Sequence, residues 1–228
     1  MTHSAPGLWA RALLLCGLCL GLAGCNIFKG VFLLSLPDPE EEAKFVLPKD
    51  AHVLILIDAR DVGYVHPRAI RAFERTLREQ LLANKLVAKV VEADRIDHLR
   101  RNDPNFPQRS IEFLARACNA NRVIYADVKH FSLKNDPMDP TWQGRFQIAL
   151  RLHDGADGKR LWPESNLGEI REARTLQEAS EERDFADLLA ERLGRQLGEA
   201  SAKLFYRHKA TTIHTQEGNV RATGAEEE

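Results

Sequence analysis

The sequence has no excess of charge of either sign and lacks the short motifs of common enzyme sites. Its 228 residues include 32 Lys and Arg against 33 Asp and Glu, a formal net charge of −1. Because a chain without a basic excess has no electrostatic footprint for phosphate groups, nucleic acid is not an expected partner. There is no Gly-x-Ser-x-Gly, no His-Glu-x-x-His and no phosphate-binding glycine loop. We therefore expect no catalytic residues, no bound metal and no cofactor.

Long apolar runs are also missing. The apolar stretch near the amino terminus covers residues 12–22 and follows Arg11. A run of this length is too short to span a bilayer, and a basic residue before it is typical of a secretory signal. The alternative is one uncleaved membrane helix over residues 12–36, although Lys29, Gly24 and Gly30 argue against it.

The apolar stretch ends in Leu22, Ala23, Gly24 and Cys25. These four residues resemble the lipobox of bacterial lipoproteins. The resemblance implies that residues 1–24 are removed as a signal peptide and that Cys25 is lipidated, which would hold the chain on a membrane. It implies a cell-envelope location. By analogy with enteric sorting, the residue after the cysteine, an asparagine, favours the outer membrane, with the protein facing the periplasm.

Few cysteines remain for the folded part. Of the four in the chain, Cys16 and Cys19 lie in the signal segment and Cys25 would carry lipid, which leaves Cys118. One thiol cannot form an internal disulfide, and zinc-type Cys/His spacing is absent. We expect Cys118 to pack as a small buried apolar residue.

Composition divides the rest of the chain into three parts. Residues 25–50 hold the lipidated cysteine and a tether, in which Pro37-Asp38-Pro39 and three glutamates interrupt regular structure. Residues 51–207 are long enough for one α/β domain with its own core. Residues 208–228 are polar, and we expect a disordered tail.

Hydrophobic periodicity predicts the elements of the domain. The predicted strands cover residues 53–57, 87–91, 123–133, 145–153 and 160–162, with 167–174 continuing the last one. A helix opens at His66-Pro67 and stops at a left-handed Asn84. Residues 94–101 form a short helix, and Ser110 caps another. A long helix follows, with Thr175 and Glu178 at capping-box spacing and Ser180 or Asp184 as alternative starts.

These elements give the order β-α-β-(α)-α-β-β-β-α. The fold class is α/β, an α+β-like sandwich in which helices pack on a single mixed sheet of about five strands.

Several segments of residues 50–165 resemble a small α/β domain of bacterial envelope proteins. They are Val53-Leu54-Ile55-Leu56-Ile57, Leu81-Leu82-Ala83-Asn84-Lys85-Leu86, Asn119-Ala120-Asn121-Arg122-Val123-Ile124-Tyr125, Leu150-Arg151-Leu152-His153-Asp154 and Asp157-Gly158-Lys159-Arg160-Leu161-Trp162. The domain occurs at the amino terminus of TolB, in the curli-secretion lipoprotein and in lipoprotein activators of penicillin-binding proteins. The sequence departs from it at Asn119, where glycine is usual, and in the loop 134–142. The resemblance implies a binding or scaffolding role.

Three side chains cluster where the first strand meets its helix, at the edge where open α/β sheets bind ligands. Asp58, Asp61 and His66 could form a metal or acid/base site there. The structural alternative, which we favour, is that the aspartates end the strand and bond loop amides while His66 caps the helix.

Two further groups have structural explanations. Asp127 shares a strand face with Tyr125 and Lys129, and we expect Arg145 or Arg151 to pair with it across the sheet. His130 lies on the same strand. His208 and His214 lie in the polar tail, where solvation is favoured over metal binding.

The leading functional hypothesis is a membrane-anchored envelope lipoprotein that acts as a non-enzymatic binding or assembly module for an envelope protein. The rival is a membrane-tethered hydrolase or metal-dependent enzyme that uses Asp58, Asp61 and His66. An oligomeric export component is a third hypothesis.

The lipid anchor is directly testable. Cys25→Ser removes the only thiol at the lipobox, so we expect it to abolish incorporation of a fatty-acid probe in cells. Retained labelling of the variant would contradict the lipoprotein hypothesis.

Overall fold

The computed structural model describes residues 40–134, 138, 141–180, 182 and 184–209, together with the backbone of residues 220 and 221. The chain divides into two units, Met1–Glu40 and Glu41–Glu228, and the α/β domain belongs to the second. The signal segment, the lipobox through Cys25, most of the predicted tether and His214 lie outside the described residues. Among the described helices, none is long and apolar enough to cross a membrane.

The described elements are short at the ends of the domain and long in its centre. The strands are β1 Glu40–Glu41, β2 His52–Asp58, β3 Lys89–Val90, β4 Arg122–Ser132, β5 Thr141–Trp142, β6 Arg145–Asp154, β7 Arg160–Trp162, β8 Glu169–Arg174, β9 Glu178–Ala179, β10 His208–Lys209 and β11 Val220–Arg221. The helices are α1 Pro67–Ala83, α2 Ala93–Asn102, α3 Ile111–Cys118 and α4 Phe185–Ala202, with 3₁₀ turns at Phe106–Gln108 and Lys203–Phe205.

One mixed sheet of seven strands organises the domain, in the order β11-β8-β6-β4-β2-β3, with β7 also paired to β6. The strand β2 runs parallel to β3 and β4, and the remaining pairs are antiparallel. The predicted α+β-like sandwich with a mixed sheet is therefore confirmed. The predicted number of strands was too low, because β7 and β8 are separate strands that pair with different parts of β6, and because β11 adds an edge.

The first helix begins as predicted and ends differently. The ring Nδ1 of His66 accepts a hydrogen bond from the backbone N–H of Arg68 at 3.3 Å, and Pro67 occupies the first turn. Asn84 was the expected left-handed residue, but its φ is −84°. Its side chain donates to the carbonyl oxygen of Gln80 at 2.9 Å, and Lys85, with φ of 53°, makes the turn instead.

Of the predicted hydroxyl caps, Ser110 and Thr175, the second is wrong. Ser110 caps α3 as expected, with its Oγ accepting from the N–H of Phe113 at 3.2 Å. Thr175 caps no helix, because its hydroxyl accepts from the N–H of Gly144 at 2.9 Å and fixes the strand ends of β6 and β8. The long helix α4 begins after Asp184, the last of the predicted starts.

The sheet carries a helical layer on each face. On one face α1 and α4 cover the main core, in which Phe73 and Phe146 meet edge to face with ring centroids 6.3 Å apart. On the other face α2 and α3 cover a smaller core around Leu54, Leu56 and Leu114. Cys118 belongs to this smaller core and is 4% exposed, so the expectation of a buried thiol is confirmed.

Packing of the chain begins before the predicted domain start at residue 51. The N–H groups of Lys44 and Phe45 both donate to the carbonyl oxygen of Leu204, at 2.8 and 3.2 Å, and Leu47 lies in the main core. Residues 26–39 therefore remain for the predicted tether, because β1 at Glu40–Glu41 already pairs with the domain. Within the predicted tail, His208–Lys209 pairs with β1 and Val220–Arg221 pairs with β8.

The contact between α1 and α4 requires glycine. A methyl group at Gly194 would lie 2.2 Å from the carbonyl oxygen of Ala69 on α1. It would also lie 2.9 Å from the side-chain methyl group of Ala72. The two helices can approach this closely only because α4 has no side chain at that position.

We expect Gly194→Ala to destabilise the domain by about 1–3 kcal/mol, because overpacking forces the helices apart. The sign of this change in stability is informative, because alanine in an unhindered helix is favoured over glycine by about 1 kcal/mol. Urea denaturation measures the change. Gly63→Ala is the control, because in the described part of the chain no atom beyond its two chain neighbours lies within 4 Å of a methyl group there. Unchanged or increased stability of Gly194→Ala would contradict the described helix contact.

Candidate functional site

The strand order reverses beside β2. Helix α1 connects β2 to β3 across one face of the sheet, and α2 and α3 connect β3 to β4 across the other face. In open α/β sheets, ligands bind at the carboxyl ends of the strands where the direction of winding changes. Here that point lies at the ends of β2 and β4.

A cleft occupies this position. It has a volume of about 750 Å³, within the range of small-molecule and peptide-binding pockets. Helix α1 lines one side, while α2, the turn Phe106–Gln108 and the start of α3 line the other, with the end of β2 between them. Its apolar lining includes Ile57, Ile70, Ile96 and Leu114.

A bonded carboxylate stands at the end of β2. Asp58 accepts from the Nε of Arg60 at 2.9 and 3.0 Å and from its Nη2 at 2.5 Å. The hydroxyl of Tyr125, on β4, donates to the same carboxylate at 2.5 Å. Arg60 extends further across the cleft, because its Nη1 donates to the carbonyl oxygen of Pro107 at 2.8 Å.

These bonds fix the protonation states of the group. Hydrogen bonds from Arg60, together with the Tyr125 hydroxyl, outweigh burial and lower the pKa of Asp58 to about 2. Burial and the neighbouring Asp58 carboxylate raise the pKa of Tyr125 to about 12. Near neutral pH neither group changes its protonation state. A carboxylate so completely bonded suits fixing the rim of the cleft better than moving protons.

The three candidate catalytic residues do not form one cluster. Asp61 is exposed and makes no bond within the described part of the chain. His66 caps α1, and its Nε2 lies 3.1 Å from Oδ1 of Asp187 on α4. The structural role predicted for His66 is therefore confirmed, and Asp58 also bonds a loop amide, the N–H of Arg60, at 3.1 Å.

Metal ligands are likewise not assembled in the described residues. No group of three or more His, Cys, Asp or Glu side chains there could hold a metal ion. His208, one of the two tail histidines, lies 3.4 Å from Oε2 of Glu41.

The predicted cross-strand pair between β4 and β6 exists. Asp127 accepts from Nη1 of Arg151 at 3.2 Å and lies 2.6 Å from Nζ of Lys129. Arg145, the other candidate partner, instead donates to Glu172 on β8, at 3.1 Å from Nε and 2.9 Å from Nη2. Glu172 is 2% exposed, so its charge depends on these donors.

His130 lies near this second pair. Its Nε2 is 3.3 Å from the hydroxyl of Ser132, and burial, with the charges of Arg145 and Arg174, lowers its pKa. Nothing in these contacts gives it a catalytic role.

Sequence reasoning missed Arg60 and Glu172. The spacing Asp58-x-Arg60 carried a signal for the first, because a side chain two residues past a strand can fold back onto the strand's last carboxylate. The alternation of Glu172 with Arg174 on β8 carried a weaker signal for the second, since its use required the register of β8 against β6.

Neither family models nor curated proteins match this sequence. Among solved structures, a PelC dodecamer from Paraburkholderia phytofirmans is similar at a TM-score of 0.40 with 14% identity, over 74% of this chain and 97% of that one. Lipoprotein GNA1162 from Neisseria meningitidis also gives 0.40, with 15% identity over 65% of this chain and 99% of that one. Protein XCC0632 from Xanthomonas campestris gives 0.37 and 12% identity, over 74% and 86%. Likenesses at this level indicate neither function nor assembly.

The bond between Tyr125 and Asp58 predicts a measurable pKa change. In Tyr125→Phe we expect the pKa of Asp58 to rise from about 2 but to stay below 3.8, its ordinary value, because the bonds from Arg60 remain. Carboxyl ¹³C chemical shifts measured against pH report this pKa. Tyr64→Phe is the control, since Tyr64 is exposed and belongs to no part of the cleft.

The same pKa sets a pH dependence of stability. A carboxylate with a lowered pKa stabilises the folded state above its unfolded pKa, and this contribution is lost as the pH falls toward 2.

Unchanged Asp58 titration in Tyr125→Phe would show that the side chains of Asp58 and Tyr125 are not bonded in solution.

Proposed function

We propose that this chain is a bacterial envelope lipoprotein whose α/β domain binds a partner protein and catalyses no reaction. The observation that carries the proposal is the cleft at the end of β2. It has apolar walls, and the carboxylate at its edge is held by Arg60 and Tyr125. A rigid cleft with a fixed polar rim suits recognition.

The anchor rests on the sequence. Leu22, Ala23 and Gly24 before Cys25 support cleavage and lipidation at that cysteine. Each buried methylene of an acyl chain contributes about 0.8 kcal/mol, so two or three chains would hold the protein firmly on a membrane. With Asn26 after the cysteine, we propose the outer membrane, with the domain facing the periplasm.

The enzymatic alternative finds less support in the contacts. A hydrolase or metal-dependent enzyme that used Asp58, Asp61 and His66 would need these side chains to face one substrate. Asp58 bonds Arg60 and Tyr125, whereas His66 bonds Arg68 and lies beside Asp187 on α4. Oligomer formation remains a separate prediction.

Photo-crosslinking in cells tests the proposed function. A photoreactive amino acid at Arg71, an exposed position that lines the cleft, should form an adduct with an envelope protein. The same amino acid at Glu79, which is exposed on α1 but does not line the cleft, is the matched control and should not form it. Equal adducts at both positions, or none at Arg71, would argue against a partner in the cleft.

A second variant separates binding from catalysis. Asp61→Ala removes a side chain that the binding proposal does not use and that the enzymatic alternative requires. We expect the Arg71 adduct and any cellular phenotype of the protein to be unchanged. Loss of the phenotype with the fold and the adduct intact would favour the enzyme.

A further inference from the structure

The strand β2 has an unpaired edge. Its partner β4 runs beside all of it except His52, whereas β3 pairs only with His52 and Val53. The strand β3 is this short because the chain turns into α2 at Ala93. From Leu54 onward, the side of β2 that faces away from β4 has no neighbouring strand in the described structure.

The direction of the backbone groups follows from the bonds on either side. The carbonyl oxygen of His52 accepts from Asn121, beside β4, at 2.9 Å, and that of Val53 accepts from Val91, beside β3, at 2.8 Å. Since backbone groups alternate along a strand, the N–H and C=O of Ile55 and Ile57 point the same way as those of Val53. Within the described residues these groups bond to no protein atom.

These unpaired groups face the cleft. Ile55 and Ile57 both line it, between Ile70 on α1 and Ile96 on α2. Backbone donors and acceptors next to apolar walls need partners, and an unpaired strand edge is a template for another strand. An extended peptide supplies such partners in a row and offers alternate side chains to the two walls.

The charges in the cleft indicate one feature of the peptide. Glu74 of α1 lines the cleft. Its pKa is affected by the charges of four nearby residues, Arg78, Asp97, Arg100 and Glu92. Both arginines are committed to other carboxylates, Arg78 to Glu92 at 2.5 Å and Arg100 to Asp97 at 3.1 Å.

Among the described residues no arginine bonds Glu74, unlike Asp58 and Asp97, the other two carboxylates that line the cleft. Glu74 is partly buried and has no hydrogen-bond or ion-pair partner in the described part of the chain. Burial raises its pKa, which a cation beside it would lower again. Arg71, three residues before Glu74 on α1, also lines the cleft and is exposed to solvent.

We propose that the cleft binds an extended segment of the partner protein, which adds as a strand beside Ile55 and Ile57 and places a basic side chain at Glu74. This inference rests on the proposed binding function and names the form of the partner. The bound segment would lie beside β2 in line with β3, where β3 itself has ended.

Amide hydrogen exchange in the full-length chain tests the unpaired edge. In the free protein we expect the N–H groups of Ile55 and Ile57 to exchange faster than those of Leu54 and Leu56, which face β4. The probes are acetylated peptide amides Thr-Xaa-Lys-Xaa-Thr, with Val, Ile, Leu or Phe at the two variable positions. A binding peptide should slow exchange at Ile55 and Ile57 by about tenfold or more, because their N–H groups gain acceptors.

Two matched comparisons test how the peptide is held. Peptides N-methylated at every residue have no N–H donor on either edge, so they cannot pair with β2 and should not bind. Glu74→Gln should weaken binding of the lysine peptides about tenfold and leave their glutamine counterparts unaffected, because only the charge-assisted contact is lost. Glu79→Gln, on the exposed face of the same helix, should change neither.

Three results would overturn the inference: no peptide binding at about 1 mM, equal binding of the N-methylated set, or no effect of Glu74→Gln. If n-hexylamine in place of the peptides slowed exchange at Ile55 and Ile57 equally, the ligand would be a small organic cation. This result would also overturn the inference. Failure of the proposed function looks different, because the Arg71 adduct would then be absent in cells even if peptides bind. An intact adduct with no peptide effect would remove this inference alone.

Discussion

The unequal pairing of β2 is the constraint on which the rest of the domain depends. The strand is buried on both faces and hydrogen-bonded along nearly its whole length to β4, yet β3 accompanies it for only two residues. Two helices on opposite faces must therefore close over its end without a strand between them. The cleft is the space that this arrangement leaves, so its position follows from topology, and its apolar walls follow from the two cores that meet there.

Charge pairing then determines what this space can do. The ends of parallel strands collect polar side chains, and here Asp58 is held by a guanidinium and a phenol while Asp97 and Glu92 have arginine partners. These pairs hold Asp58, Glu92 and Asp97 in fixed positions, and Glu74 is left without an arginine partner among the described residues. A rim fixed by these bonds can position the backbone of a ligand.

The sequence predicted the fold wherever periodicity was strong. The run Val53–Ile57, the stripe of α1 and the alternation of Arg145–His153 each produced an element at the expected place, because side-chain burial alone decides such patterns. Thr175 and Asn84 were misassigned, since a hydroxyl or amide has several local acceptors and donors and tertiary contacts select among them. For the site, the position at the end of the first strand was predictable. The bonds of Asp58 and the unpaired carboxylate of Glu74 were not, because both depend on which helix faces the strand end.

The attachment of the chain at Leu204 has a mechanical consequence. A pull on an anchored amino terminus would enter the domain through the bonds of Lys44 and Phe45 to Leu204, supported by ion pairs of Glu42 with Arg207 and of Lys44 with Glu169. None of these residues lines the cleft. Residues 26–39 would allow a reach of at most about 45 Å, at about 3.3 Å per residue. Tension along such a tether would load the end of α4 and the start of β8 and would bypass the residues that line the cleft.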